Sequence, residues 1–473
     1  MAIAVFFCPF LFILYLCLGV TMIYQVQADS TEINTTNVSN WITTFKNDIL
    51  PNRKKLGQYY DGENVIEKQG AVKGRPNYSI NVNMAKYIID VSTAYTFGVP
   101  VQYTTDNEQE KAILEKLQYI LKNCNDNEID FQQGGDMATY GLSYQLVLAK
   151  QGSEKIEDRI AIKYLSPLQT FYVIDNTILE TPVCAIYMYD YTEKNQKKTR
   201  VYVYDNENLY IFNGLQGAVS VLESVEPHNM GAIPIIQCLN NDDAFSDIQC
   251  ITDLLDSLSL AISNTTDDLQ SIANAILCAS GGTLSKENIE AINELKTANL
   301  PVGAKMEWII KNINPEATKQ QIDRLLTFIF QIAQVPDLTD DAFGGNQSGV
   351  AMQYKLWGMN QLWITKTTKY EKALYQRLKI LLHLLQYQFE SNVSLLDNIV
   401  ITFSKNLPTD NSSMLQMVQA LKDVVSTKTL LKQIPFVEDV EAEIEELDAQ
   451  AAKNADLYGF NNNAGLEDNN GEE

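Results

Sequence analysis

Two histidines, His228 and His383, are all that a chain of 473 residues offers for imidazole chemistry. A Ser-His-Asp relay or a multi-histidine metal site therefore has little to draw on, although a carboxylate site stays open. His383 falls in a helical stripe and reads as an ordinary helix residue. The run Asn240-Asn241-Asp242-Asp243 suits Mg²⁺ or Ca²⁺, and it equally suits a loop rich in helix-capping residues. An enzyme built on it would lose activity to a chelator and to Asp242→Ala. Neither a GxxxxGK[ST] phosphate loop nor a GxGxxG turn after a strand is present, which argues against NTP hydrolysis. Seven cysteines (Cys8, Cys17, Cys124, Cys184, Cys238, Cys250, Cys278) lack CxxC spacing. They read as reduced thiols and support neither a zinc site nor a disulfide framework. No catalytic residue, cofactor or metal is expected.

Polar chemistry without catalysis is concentrated between Phe343 and Leu356, FGGNQSGVAMQYKL, where Gly344, Gly345 and Gly349 enclose Asn346, Gln347 and Ser348, with Lys355 close behind. Glycine tolerates positive φ and lets a backbone approach another backbone or a ligand closely. This segment is either a flexible linker or a loop built for close approach. The elements around it are long helices. Upstream, Pro315 to Val335 repeats apolar residues at Ile322, Leu325, Leu326, Ile329 and Ile332; downstream, Tyr370, Leu374, Leu378, Leu381, Leu385 and Phe389 keep helical spacing within a helix expected from about Val350 to Glu390. Ser246 to Ile276 predicts another long helix, with Ile248, Ile251, Leu255, Leu258, Ile262, Leu269, Ile272 and Ile276 on one stripe and Asp253, Asp256 and Asp267 grouped opposite. At 1.5 Å per residue it would span roughly 45 Å. The insertion between these helices, Thr283 to Asn314, holds a helix-like Ser285 to Lys296 and an extended Met306 to Ile310.

The first half has a different texture. Ser39 to Leu50 predicts a short amphipathic helix, and NRKKLGQYYDGEN after it a basic and aromatic surface arm ending at Asp61-Gly62. Helices are expected over Met84 to Phe97 and Glu108 to Asn123, with Gly98-Val99-Pro100 as a stop between them. Short β-branched and aromatic runs then predict strands at Ser143 to Lys150, Ile160 to Tyr164, Thr170 to Ile174, Cys184 to Tyr191, Arg200 to Tyr204 and Leu209 to Phe212. Late in the chain come a strand at Ile399 to Phe403 and helices at Ser412 to Val425 and from Thr427 onward. The fold class is α+β, with an antiparallel sheet preceding long helices.

Composition adds bounds. Apolar residues make up 45% of the chain, enough for a sizeable core and for two to four domains. The net charge of −23 argues against a surface that coats nucleic acid, because phosphate affinity comes mainly from Lys and Arg. From Glu438 to Glu473 twelve acids face one base, Lys453, and the final NNNAGLEDNNGEE reads as disordered. Met1 to Ala28 has no charged side chain. It reads as a signal peptide ending near Val26-Gln27-Ala28, as a short anchor, or as an over-extended start preceding Met22. A signal peptide wants basic residues first, and Lys46 is the first base.

Four pieces in this order, NMAKYIIDVSTAYTFGVPVQY (Asn83 to Tyr103), HNMGAIPIIQCLNNDD (His228 to Asp243), GNQSGVAMQYKL (Gly345 to Leu356), and FSKNLPTD with VVSTKTLLKQIPFVEDVEAEIEEL, resemble the SPP1-type family of tailed-phage portal proteins. The resemblance runs from about Asn47 to Lys453. It implies a portal-like fold: a mixed wing (39–245 and 350–403), stem helices (246–276 and 315–335), a clip (277–314), a tunnel loop (336–349), a helical crown (405–453) and an acidic tail (454–473), after a leader or misannotated start (1–28). It further implies a ring of about twelve copies, the head-tail connector at one capsid vertex. Terminase large subunit, a head-tail adaptor, major capsid and scaffolding proteins would be its partners, and double-stranded DNA would pass without sequence specificity. Such a protein belongs to the virion and assembles in the host cytoplasm. Gly344, Gly345, Asn346, Gln347, Ser348, Gly349 and Lys355 would be the loop at the channel, with Asp253, Asp256 and Asp267 as its acidic lining. Two other functions stay open on the residues alone: a secreted or membrane-anchored α/β binding protein, and a metal-dependent enzyme at Asn240 to Asp243.

Overall fold

In the computed structural model the chain forms two units, Met1–Asn406 and Leu407–Glu473. The structure describes residues 25–63, 76–150, 152, 155–215, 219–273, 276–280, 303, 305–309, 315–338, 353–385 and 398–406 of the first, and 407, 419–421, 425–431, 440, 443–444 and 446–450 of the second. The expected helices Ser285 to Lys296 and most of Ser412 to Val425, the glycine-rich segment 344–349 and the acidic tail lie outside the described residues.

Strand β1 (Val26–Ala28) pairs in parallel with residues 173–175, burying Val26 and Ala28. Cleavage after Ala28 would strip this strand from its sheet. Helix α1 (Thr35–Thr44) starts where the Asn34 side chain accepts a 2.9 Å bond from the Asn37 amide. Five π-helical residues, Phe45–Ile49, join it to α2 (Leu50–Asp61). Pro51 lacks the amide that would bond four residues back, so the turn widens here. The widening redirects the apolar stripe: Val38, Trp41, Ile42, Phe45 and Ile49 pack on the large sheet, whereas Leu56 and Tyr59 join a helical core. The expected surface arm is thus the body of α2. Arg53 is buried, with Nη1 donating to the carbonyls of Pro167 (2.5 Å) and Thr170 (3.0 Å).

Helix α3 (Met84–Phe97) is capped by the Asn83 side chain and stops at Gly98, as the sequence predicts. β2 (Gln102–Thr104) and α4 (Glu108–Asn123) follow, then α5 (Asp126–Tyr140), which sequence reading missed. Gly134 inside α5 faces the Phe97 ring so closely that a Cβ would collide with it. Gly141 ends α5 at φ +83°, against the Ala244 carbonyl, where no side chain fits.

Strands β3 (Leu142–Ala149), β4 (Ile160–Leu165), β5 (Thr170–Asp175), β6 (Pro182–Glu193), β7 (Gln196–Tyr204), β8 (Asn208–Leu215), β9 (Val221–Pro227) and β10 (Ile235–Leu239) come next. They build a six-stranded sheet, β1-β5-β6-β7-β8-β9, antiparallel except for β1, and a three-stranded antiparallel sheet, β10-β3-β4. Helix α6 (Thr252–Ala273) is shorter than expected: at 1.5 Å per residue it spans about 33 Å, and Ile276 already belongs to β11 (Ile276–Ser280), paired with β12 (Lys305–Ile309). Helices α7 (Pro315–Ala333) and α8 (Trp357–Leu384), then β13 (Val400–Thr402) against β2, complete the first unit. The second unit shows α9 (Thr427–Leu431). The fold is mixed helix and sheet. Among the described residues no helix is long and apolar enough to cross a membrane.

Candidate functional site

The polar stripe of α6 is the natural place to look for function, and its own chain occupies much of it. An extended segment, 76–83, runs along the helix. The amides of Tyr78, Ile80 and Val82 donate to Asp267 (2.8 Å), Ser263 (2.9 Å) and Ser259 (3.3 Å). Asp256 continues the stripe and accepts 2.9 Å from the Tyr59 hydroxyl. Burial and then Asp256 hold that phenol far above its ordinary range. Positions 256, 259, 263 and 267 share one side of a helix, so much of the face carrying the grouped acids binds the strap. The three predicted acids are therefore not equivalent. Asp253 is exposed, whereas Asp256 and Asp267 are half-buried.

The opposite stripe of α6 packs with α7, α2 and α3 through Ile251, Leu255, Leu258, Ile329 and Ala333. At the base of α6, Asp247 is tied to α8: Lys366 Nζ lies 2.5 Å from Asp247 Oδ2 and 2.7 Å from Ser92 Oγ, and both charged side chains are 2% exposed. A second buried pair joins α8 to α5. Arg377 Nη1 lies 2.6 Å from Asp130 Oδ1, Nη2 donates 2.7 Å to the Tyr103 hydroxyl, and the Tyr370 hydroxyl sits 2.6 Å from the same carboxylate. Desolvation opposes the guanidinium charge, but Asp130 outweighs it and raises the Arg377 pKa further. Sequence reasoning passed over both pairs. The available signal was a cation standing on the apolar stripe of α8, Lys366 before Tyr370 and Arg377 before Leu381.

The remaining candidates divide. Lys355 is half-buried in a helical turn before α8; Gly344, Gly345, Asn346, Gln347, Ser348 and Gly349 lie outside the described residues. In the Asn240 to Asp243 loop, the Asn240 amide group donates to Phe245 O (2.8 Å) and Asp247 Oδ1 (2.9 Å), Asn241 brackets Phe245, and Asp242 pairs with Lys369. These side chains shape the entry to α6. Among the described residues no group of three His, Cys, Asp or Glu is arranged to hold a metal. A cavity of about 240 Å³ is lined by Phe97, Val99, Pro100, Val101 and Phe131. Of the two carboxylates that also line it, Glu128 and Asp130, Asp130 is engaged by Arg377.

Comparison with known proteins gives the family of the chain. A chain from the neck of an empty GTA particle, computed with C6 symmetry, is similar at 16% identity with a TM-score of 0.42, covering 76% of this chain and 88% of that one. The portal protein of Clostridium phage phiCD119 is 22% identical over 430 residues, 85% of this chain and 93% of that protein. The portal protein of Bacillus phage SPP1 is 22% identical over 444 residues, 88% of this chain and 83% of that protein. The family model for phage portal proteins of the SPP1 Gp6-like type matches residues 39–456. With its buried-pair scaffold and strapped helix lying within that matched span, the chain belongs to the SPP1 Gp6-like phage portal protein family.

Proposed function

We propose that the chain is a portal subunit, about twelve copies of which close into a ring at one capsid vertex and form the channel for DNA packaging and ejection. It is a structural part of the virion, assembled in the host cytoplasm, and not an enzyme. Its partners are further copies of itself, the terminase large subunit, a head-tail adaptor, and the major capsid and scaffolding proteins. The observation that carries the reading is the family match from residue 39 to residue 456.

In this reading residues 39–245 and 350–403 form the wing, 246–276 and 315–335 the stem, 277–314 the clip and 405–453 the crown. Gly344, Gly345 and Gly349 give the loop the freedom to crowd at a shared axis, Asn346, Gln347 and Ser348 touch DNA, and Lys355 stands behind them. Asp253 is the outward member of the acidic lining, with Asp256 and Asp267 adding charge beside the strap. A tunnel lined by carboxylates repels phosphates, so duplex DNA slides and is not held.

The test is assembly. Expressed from Met22 and purified, the chain is expected to give holed, ring-shaped particles by negative-stain microscopy and one dominant high-order oligomer by native mass spectrometry. A molecule that stays monomeric at every concentration and salt tried would overturn the reading.

A further inference from the structure

The cavity where α3 ends and α5 begins is small, and its volume of about 240 Å³ decides what can enter it. An apolar void of about 150 Å³ takes up benzene, whereas pockets for drug-sized ligands and cofactors run from about 300 Å³ upward. One large side chain fits. The back wall is already in place: the buried Phe97 ring packs on Gly134 and meets Tyr370 edge-on, with centroids 5.0 Å apart. Val99, Pro100 and Val101 add an apolar strip, and Phe131, 46% exposed, supplies a second aromatic ring that solvent still reaches.

Charge selects the occupant. Asp130 already accepts from Arg377 and Tyr370, so its charge is spent inside the molecule. Glu128 is exposed, and among the described residues no ion pair or hydrogen bond engages its carboxylate. The two helix ends that meet here oppose each other, the end of α3 negative and the start of α5 positive by about half an elementary charge each. They offset, and Glu128 sets the sign. An anion would meet that carboxylate, and a metal ion would find too few ligands, since among the described residues no group of three His, Cys, Asp or Glu is arranged to hold one. A compact ammonium ion would keep its water and leave the apolar walls unused. Arginine meets both demands: its stem is apolar, and its weakly hydrated guanidinium lies well against aromatic rings and pairs with a carboxylate. Lys405, beside the Asn406 whose amide donates to the Tyr95 carbonyl (3.1 Å), commits its own ammonium to the Trp363 ring, 4.7 Å away.

We propose that this cavity receives an arginine side chain presented by a segment of another protein, with Glu128 pairing the guanidinium and Phe97, Pro100 and Phe131 enclosing the stem. The site does not depend on the ring reading. The test titrates the full chain, by ligand-observed NMR at about 0.1 M salt, with N-acetylarginine amide, with its neutral isostere N-acetylcitrulline amide, and with free arginine. The blocked arginine is expected to bind about fivefold tighter than the citrulline compound, the worth of one charge-assisted contact near the surface. Free arginine, whose own carboxylate has no partner here, is expected to bind no tighter than the blocked form. Glu128→Gln is expected to erase the preference for arginine over citrulline, and Phe131→Ser to weaken both ligands with an unchanged unfolding midpoint. Glu115→Gln, which removes an exposed acid of α4, is expected to leave the preference intact. If Phe131→Ser shifts the midpoint, the exposed and isosteric Glu128→Gln decides alone. No binding of the blocked arginine, equal binding of the citrulline compound, a preference that survives Glu128→Gln or falls equally with Glu115→Gln, or tighter binding of free arginine each overturns the proposal.

Discussion

Asp136 keeps its proton unusually well. Burial raises its pKa from 3.8 to about 7, and the 2.5 Å bond from the Tyr164 hydroxyl only partly pulls it back. The folded state therefore binds a proton that the unfolded state has released. Stability from this group is fully present below the unfolded pKa and is lost as pH climbs from about 4 to about 7, levelling off above. At about 1.4 kcal/mol per unit the contribution is a few kcal/mol. Asp136→Asn should flatten that part of the profile: urea unfolding of parent and variant is expected to differ in slope between pH 5 and 7, and parallel curves across that window would refute the assignment. The buried pairs behave differently. Breaking such a pair from one side generally costs about 3–5 kcal/mol, because a charge is left without its partner. Arg377 with Asp130, and Lys366 with Asp247, thus rivet α8 to α5 and to the root of α6.

At the scale of elements, the strap on α6 separates two uses of its acids. Asp267 holds the Tyr78 amide, whereas Asp253 is exposed. Asp267→Ala is expected to cost about 1 kcal/mol, the worth of a hydrogen bond to a charged group near the surface. Asp253→Ala should fall within about 0.5 kcal/mol of the parent. Equal unfolding free energies for the two variants would mean that the strap is not held by the stripe. Helices α3 and α4 were legible to the residue, because Gly98-Val99-Pro100 stops the first and an apolar stripe at helical spacing runs along the second. Helix α5 was not, since Gly134-Gly135 reads as a break until Phe97, packed on it, supplies the reason for glycine. Helix α6 was read too long because Ile276 fits an apolar helical stripe as well as it fits β11. Arg53 was assigned to a surface arm because its acceptors, the carbonyls of Pro167 and Thr170, are backbone atoms more than a hundred residues away. The strap and the buried pairs share that difficulty: composition shows a polar face or a stray cation, but only the tertiary fold says what meets it.

For the whole molecule, charge sets a condition on assembly. Each copy carries −23, so bringing copies side by side is opposed by their mutual repulsion. The contacts that close a ring must exceed this term, and exposed apolar side chains such as Phe328, Ile332, Trp357 and Ile364 are candidates for contacts that salt does not weaken. Salt screens the repulsion, with a Debye length of about 10 Å at 0.1 M and about 3 Å at 1 M. The oligomer is therefore expected to gain over the monomer as ionic strength rises from about 0.05 to about 0.5 M, measured by sedimentation velocity at fixed protein concentration. An assembly closed mainly by exposed ion pairs would dissociate over the same range, because screening weakens attraction as well as repulsion. Falling oligomer content with salt would thus leave a ring possible but move its cohesion from apolar contacts to charge pairing.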